Sequence, residues 1–286
     1  MLCAACNNKL TNLGQIPDGI LFKCSFCGTK KLVIDNFDLK QDVLAYGSAY
    51  REKLSNTKIS GLVSLFENNY LTPTNKVELF DIGFGSGEFL LAVNKMGLKV
   101  SGLECDLNSV KLLRKKHIVA YHGELGGEMK LNKKYDLITL WDVLEHVSDI
   151  EKALSQLNSI TNKYGKLFIL TPNAGSSFDS MATIERRLTF YKSQRIMNIC
   201  LNRYHLHRFT IKGLEILLSR FGFTVDKVER IQLFSLNSDT YTDGFAPGIM
   251  KWTKSSFINR IISNKAMTLI RVLNIKNKIF FIATKK

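Results

Sequence analysis

Four cysteines open the chain as two pairs, Cys3-x-x-Cys6 and Cys24-x-x-Cys27, with 17 residues between them. Each pair sets two thiolates on a short knuckle, and two knuckles complete the tetrahedron that Zn²⁺ prefers. Four thiolates leave no open coordination position, so the metal this spacing predicts is structural zinc. Disulfides and redox-active pairs are the competing readings, and doubled pairs at this spacing favour the metal. A second set follows at Asp81-x-Gly83-x-Gly85-x-Gly87, with Glu104 some twenty residues downstream. Alternate glycines admit backbone dihedrals closed to other residues and let a ligand lie against the main chain. An acid at the later position accepts the two hydroxyls of a ribose. A third set holds imidazoles, His146 beside Glu145, and His205 and His207 within Tyr204-His-Leu-His-Arg208. Imidazoles titrate near neutrality, so these three are candidate general bases, His146 first.

These groups need elements to position them. Val77–Ile82 is an apolar strand-like run that ends in the glycine loop, and an amphipathic helix follows from Glu88. Lys99–Glu104, Ile118–His122, Tyr135–Trp141 and Lys166–Thr171 read as further strands, and Asp106 caps a basic helix between the first two. Thr210–Arg220 reads as a helix, with strands at Thr224–Ile231 and Lys278–Thr284. Strands alternating with helices predict an α/β fold whose ligand lies beyond the carboxyl ends of its strands. A dinucleotide site wants G-x-G-x-x-G, and Glu88 stands where that third glycine belongs. A carboxylate at a helix N-terminus suits a cofactor without a phosphate.

The 286 residues hold one domain of about 200–250 residues plus a small appendage. We expect a zinc ribbon over 1–34, with a hairpin turning at Pro17-Asp18-Gly19, and a helical lid or linker over 35–72 that puts Tyr46 and Tyr50 on one face. The catalytic domain then covers 73–286, with a substrate-loop insertion at about 173–209 and a basic amphipathic insertion at about 235–275. Cys105 and Cys200 stand alone and read as ordinary buried residues. No signal peptide or spanning apolar run is visible, so the expected compartment is the cytoplasm. The net charge is +15, and from Phe245 onward there are nine Lys or Arg and no acid. A basic tail attracts nucleic acid, a phospholipid surface or a phosphorylated substrate, or is simply solvated. Its apolar residues from Phe257 to Leu273 recur at helical spacing, as in a helix lying on the inner face of a membrane or docked on its own domain.

The glycine loop with Gly102-Leu-Glu104 resembles the class I S-adenosylmethionine-dependent methyltransferases. Tyr135–Val147, containing Trp141-Asp-Val-Leu-Glu-His146, is similar to the fourth-strand motif of the branch with ubiquinone-biosynthesis and polysaccharide-cluster methyltransferases. Tyr204-His-Leu-His-Arg-Phe-Thr210 resembles the entry to a late helix in that branch. The resemblance implies a Rossmann-like, seven-stranded, mostly parallel sheet with helices on both faces. It implies S-adenosyl-L-methionine contacts from Asp81, Gly83, Gly85 and Gly87, and a ribose contact from Glu104. Glu124 and Leu125 would flank the adenine, and Trp141 and Asp142 the methionine moiety; Trp141 reads equally as a core aromatic.

The implied activity is methyl transfer to a small-molecule or glycan- or lipid-linked acceptor, on oxygen. Arg186, Arg187, Lys192, Arg195, Arg203 and Arg208 point to an anionic acceptor. A ribosomal or transfer RNA methyltransferase is the alternative within enzymes. A zinc-ribbon adaptor with a vestigial cofactor fold is the alternative outside them.

Overall fold

The computed structural model describes residues 1–16, 19–34, 56–70, 77–127, 131, 133–176, 204–231 and 276–286. The tyrosines of the lid, Cys200, the substrate-loop cations apart from Arg208, and the amphipathic run from Phe257 to Leu273 lie outside these residues.

The large sheet is assembled from apolar runs too continuous to face water on either side. β4 (Glu78–Ile82), β5 (Lys99–Glu104), β6 (Val119–His122), β7 (Tyr135–Trp141) and β8 (Thr161–Pro172) run parallel. β11 (Lys278–Lys285) lies antiparallel to β8, and β10 (Phe223–Ile231) antiparallel to β11. The spatial order is β6-β5-β4-β7-β8-β11-β10, so the seven-stranded, mostly parallel sheet is present. Successive side chains point to opposite faces. Phe168, Leu170, Phe280 and Ile282 therefore join one core, and Leu167, Ile169, Ile279, Phe281 and Ala283 the other. Helices α1 (Asn56–Glu67), α2 (Glu88–Lys95) and α3 (Leu107–Lys115) cover the first face. Helices α4 (Ile150–Ile160) and α5 (Ile211–Arg220) cover the second. The strand order reverses between β4 and β7, which opens a crevice at their carboxyl ends.

The amino-terminal module is a three-stranded antiparallel ribbon, β1 (Leu10–Ile16), β2 (Gly19–Cys24) and β3 (Lys30–Val33). Its private core is only Ile16, Leu21 and Leu32. The knuckle residues Cys3, Ala5, Cys24 and Cys27 belong instead to the main core beside Leu214, Leu217 and Leu218 of α5. A two-residue strand from the catalytic domain, β9 (His207–Arg208), adds to the ribbon edge, pairing Arg208 with Lys30 and His207 with Lys31. The close approach of α5 requires Gly213, where a Cβ would stand 2.0 Å from Thr29 Oγ1. Among the described residues, no helix is long and apolar enough to cross a membrane.

Candidate functional site

The glycine loop stands at the reversal point. Gly83, Gly85 and Gly87 have φ of +69°, +58° and +80°, the left-handed region that only glycine enters without strain. A Cβ on Gly83 would meet Val143 Cγ2 at 2.7 Å, so the loops after β4 and β7 touch there. A Cβ on Gly85 would meet nothing within 4 Å, which leaves the loop open towards the crevice. The Gly85 amide donates to Glu104 Oε2 at 2.8 Å, and the Asp106 amide to Glu104 Oε1 at 3.0 Å. The carboxylate is thereby held at the end of β5, beside the open glycine. Asp81 is turned under the loop, 1% exposed, and its Oδ1 accepts from Thr139 at 2.7 Å. Burial pushes its carboxyl up to about 8 against the pull of that hydrogen bond. Glu124 is half-buried in the turn after β6, and the Leu125 side chain enters the core. Cys105, expected to be buried, is half-buried where the chain leaves β5, its thiol donating to Glu104 Oε1 at 3.1 Å.

The end of β7 carries the opposite wall. Trp141 packs edge-on against Phe89 and stacks on Phe280, in the core as much as beside the crevice. Asp142 sits at φ +59°, an uncommon conformation for a residue with a side chain. Its Oδ2 receives Lys58 at 3.4 Å and, from the start of β11, Lys278. Burial opposes its charge, but these two ammonium groups hold its carboxyl well below the usual range. Glu145 takes the reverse course: burial and the neighbouring Asp142 charge push it up to about 8. Thr171 donates to its Oε2 at 2.9 Å.

His146 and His205 meet edge to face, with ring centroids 4.9 Å apart. His146 Nδ1 lies 2.7 Å from the Tyr204 carbonyl oxygen. A carbonyl only accepts, so Nδ1 carries the proton and Nε2 is the basic atom. Burial lowers the pKa of both rings, which favours their neutral, basic forms. Glu145, His146 and His205 each offer a ligand atom within 4.8 Å of the others, so this cluster has the donors to hold a cation. His207, in the ribbon junction, is 2% exposed and stacked on Phe209, and its ring also meets the Val147–Ser148 backbone just after His146. Burial lowers its pKa to about 4.

Trp141 Nε1, Asp142 Oδ1, Glu145 Oε1 and His205 Nδ1 are buried without a hydrogen-bond partner among the described residues. Tyr135 Oη, His207 Nε2 and Asn277 Oδ1 share that state. Sequence reasoning missed Lys58 and Lys278. Neither lies in a motif, and only a lysine opening an otherwise apolar strand hinted at Lys278.

The four cysteine sulfurs converge at the opposite edge of α5. Cys3–Cys27, Cys6–Cys24 and Cys6–Cys27 are 3.6, 3.5 and 3.5 Å apart. A tetrahedron with Zn–S of about 2.3 Å has edges of about 3.8 Å, so the donor set fits zinc. Asn8 Nδ2 at 3.4 Å from Cys6 Sγ, and the Thr29 hydroxyl at 3.3 Å from Cys27 Sγ, supply outer contacts of the kind that orient metal ligands.

The sheet order and the crevice are those of the methyltransferases, and a family model described as a methyltransferase domain matches residues 50–228. The chain belongs to that family. It is similar to the ubiquinone biosynthesis O-methyltransferase of Pelagibacter ubique, 26% identical over 106 residues, a match covering 35% of this chain and 44% of that one. The chain thus spans less than half the length of that curated relative. Its fold is similar to a SAM-dependent methyltransferase from Archaeoglobus fulgidus (TM-score 0.52, 19% identity, 84% of this chain and 99% of the other). It is also similar to the 1,6-didemethyltoxoflavin-N1-methyltransferase of Burkholderia thailandensis, solved with its acceptor and S-adenosylhomocysteine (TM-score 0.56, 10% identity, 92% and 97% covered).

Proposed function

We propose that this protein is an S-adenosylmethionine-dependent methyltransferase acting on the oxygen of a small-molecule or glycan- or lipid-linked acceptor, with structural zinc at Cys3, Cys6, Cys24 and Cys27. The observation that carries the reading is the pairing of a bonded acid, Glu104, with an open glycine, Gly85, at the reversal point of a methyltransferase fold. Glu104 would hold the ribose hydroxyls of the cofactor, and the glycine loop would lie along its aminoacyl side. The bound cofactor supplies a sulfonium methyl whose leaving group is neutral, so little activation is needed beyond alignment and proton removal. His146 Nε2 takes the acceptor proton, its tautomer fixed by the Tyr204 carbonyl. The unsatisfied Glu145 Oε1 and His205 Nδ1 face that same corner and would orient the acceptor.

The cations of the substrate loop, Arg186, Arg187, Lys192, Arg195, Arg203 and Arg208, support an acceptor with anionic character. The RNA reading rests on the four-cysteine ribbon and the net charge, and the adaptor reading gives no role to the bonded Glu104. Calorimetry with S-adenosylmethionine tests the proposal: a saturable 1:1 heat is expected, and its absence at millimolar cofactor would overturn the enzymatic reading.

A further inference from the structure

We infer that the four-cysteine centre is a positioning device for the reaction site: its ribbon holds Tyr204–Arg208 by strand addition, and that segment holds His146 in its basic tautomer. The inference rests on the zinc and methyltransferase readings above.

β9 has two residues and cannot persist as a strand without a partner. Its partner is β3, through Lys30–Arg208 and Lys31–His207, extended by the Leu32 amide donating to the Leu206 carbonyl at 2.9 Å. One residue beyond β9, Phe209 is buried in the core shared with Cys3, Cys24 and Cys27. Thr210 then donates its hydroxyl to the Cys27 carbonyl at 2.5 Å while accepting from the Gly213 amide at 3.0 Å. At the far end of α5, Arg220 donates to the carbonyls of Ala4 and Ala5 at 2.5 and 3.2 Å. The metal knuckles thus grip both ends of α5 and the segment leading into it.

The other edge of that segment meets the catalytic wall, through the Tyr204 carbonyl on His146 Nδ1 and the His205 ring against the His146 ring. Leu206, His207 and Arg208 are buried, so losing the ribbon would strand their backbone groups without partners, which a fold avoids by rearranging. A ribbon with three buried core residues does not hold its shape without a staple. Metal binding, ribbon folding, the Tyr204 carbonyl and the His146 tautomer therefore form one chain of dependence.

The test uses the full-length protein with ¹⁵N-labelled histidine, before and after zinc removal by a tight chelator, with metal content followed by elemental analysis. His146 is expected to show the Nδ1–H tautomer in the zinc-loaded protein and to lose it on removal. His117 and His122, remote from the ribbon, should keep their signals, and cofactor affinity should hold within about twofold because the glycine loop shares no partner with the ribbon. A Leu32→Pro variant removes the amide that reaches Leu206 and leaves all four cysteines in place. It should retain zinc and lose the same tautomer. Absence of bound zinc in the purified protein would overturn the zinc reading. Zinc that leaves, or a Leu32→Pro variant that keeps it, with the His146 tautomer unchanged, would overturn the positioning role and spare the zinc.

Discussion

The glycine loop and the Tyr204–Arg208 segment serve one crevice but are built over different chain distances. Gly85 is bonded to Glu104 only 19 positions away, whereas Thr210 is bonded to Cys27 across 183. The cofactor end is thus a local product of strand, turn and helix start. The histidine end exists only after the amino-terminal module has folded and docked. Lesions in the ribbon should spare the first and undo the second.

The largest effect that would break this contrast is expected from Cys24→Ser. Loss of a metal ligand should destabilise the ribbon and its junction by more than about 4 kcal/mol, seen as rapid proteolysis within residues 1–34, while S-adenosylmethionine still binds. If cofactor binding failed as well, the two ends would be one cooperative unit. Glu104→Ala should act in the opposite sense, weakening cofactor affinity about 10- to 100-fold by loss of charge-assisted hydrogen bonds, with the ribbon resistant to protease. Unchanged affinity in calorimetry would remove Glu104 from the site.

A separate effect concerns pH. Asp81 has its carboxyl raised from 3.8 to about 8 by burial, so its contribution to stability is complete below pH 3.8 and is lost as pH rises to about 8. Stability should fall across that window by at most about 1.4 kcal/mol per pH unit for this group. Histidines whose pKa burial lowers pull the other way below about pH 6.5, so Asp81→Asn should flatten the fall seen above it in urea titrations, leaving the slope due to Glu145, whose carboxyl is raised from 4.5 to about 8. Smallest of all, Arg220→Ala should cost about 1 kcal/mol in thermal unfolding through its bonds to Ala4 and Ala5. Its exposed ion pair with Glu151 should add little.

The same contrast decides what could be read from the sequence. The glycine loop was legible because its function demands backbone conformations that only glycine supplies, and the parallel strands because their burial on both faces requires unbroken apolar runs. The ribbon hairpin was legible from the residues of its turn. β9 was not, since two residues carry no periodicity and its pairing energy comes entirely from Lys30–Leu32. The Lys58–Asp142–Lys278 cluster left no local pattern either, being drawn from three distant elements. His207, read as a catalytic candidate beside His205, lies in the added strand β9.

One small contact has a wider consequence. Asn173, at the exit of β8, bridges to Phe209, and the Ala174 amide donates to the Phe209 carbonyl at 2.9 Å. The two feet of the intervening stretch are therefore riveted together whatever its length or sequence. Loop-closure entropy then grows only slowly with added residues, about 0.6 kcal/mol for each doubling. Longer or shorter segments can then be accommodated between those feet without disturbing the glycine loop. Swapping that stretch for one from a relative should leave the fold and cofactor binding intact, as read by thermal unfolding and calorimetry.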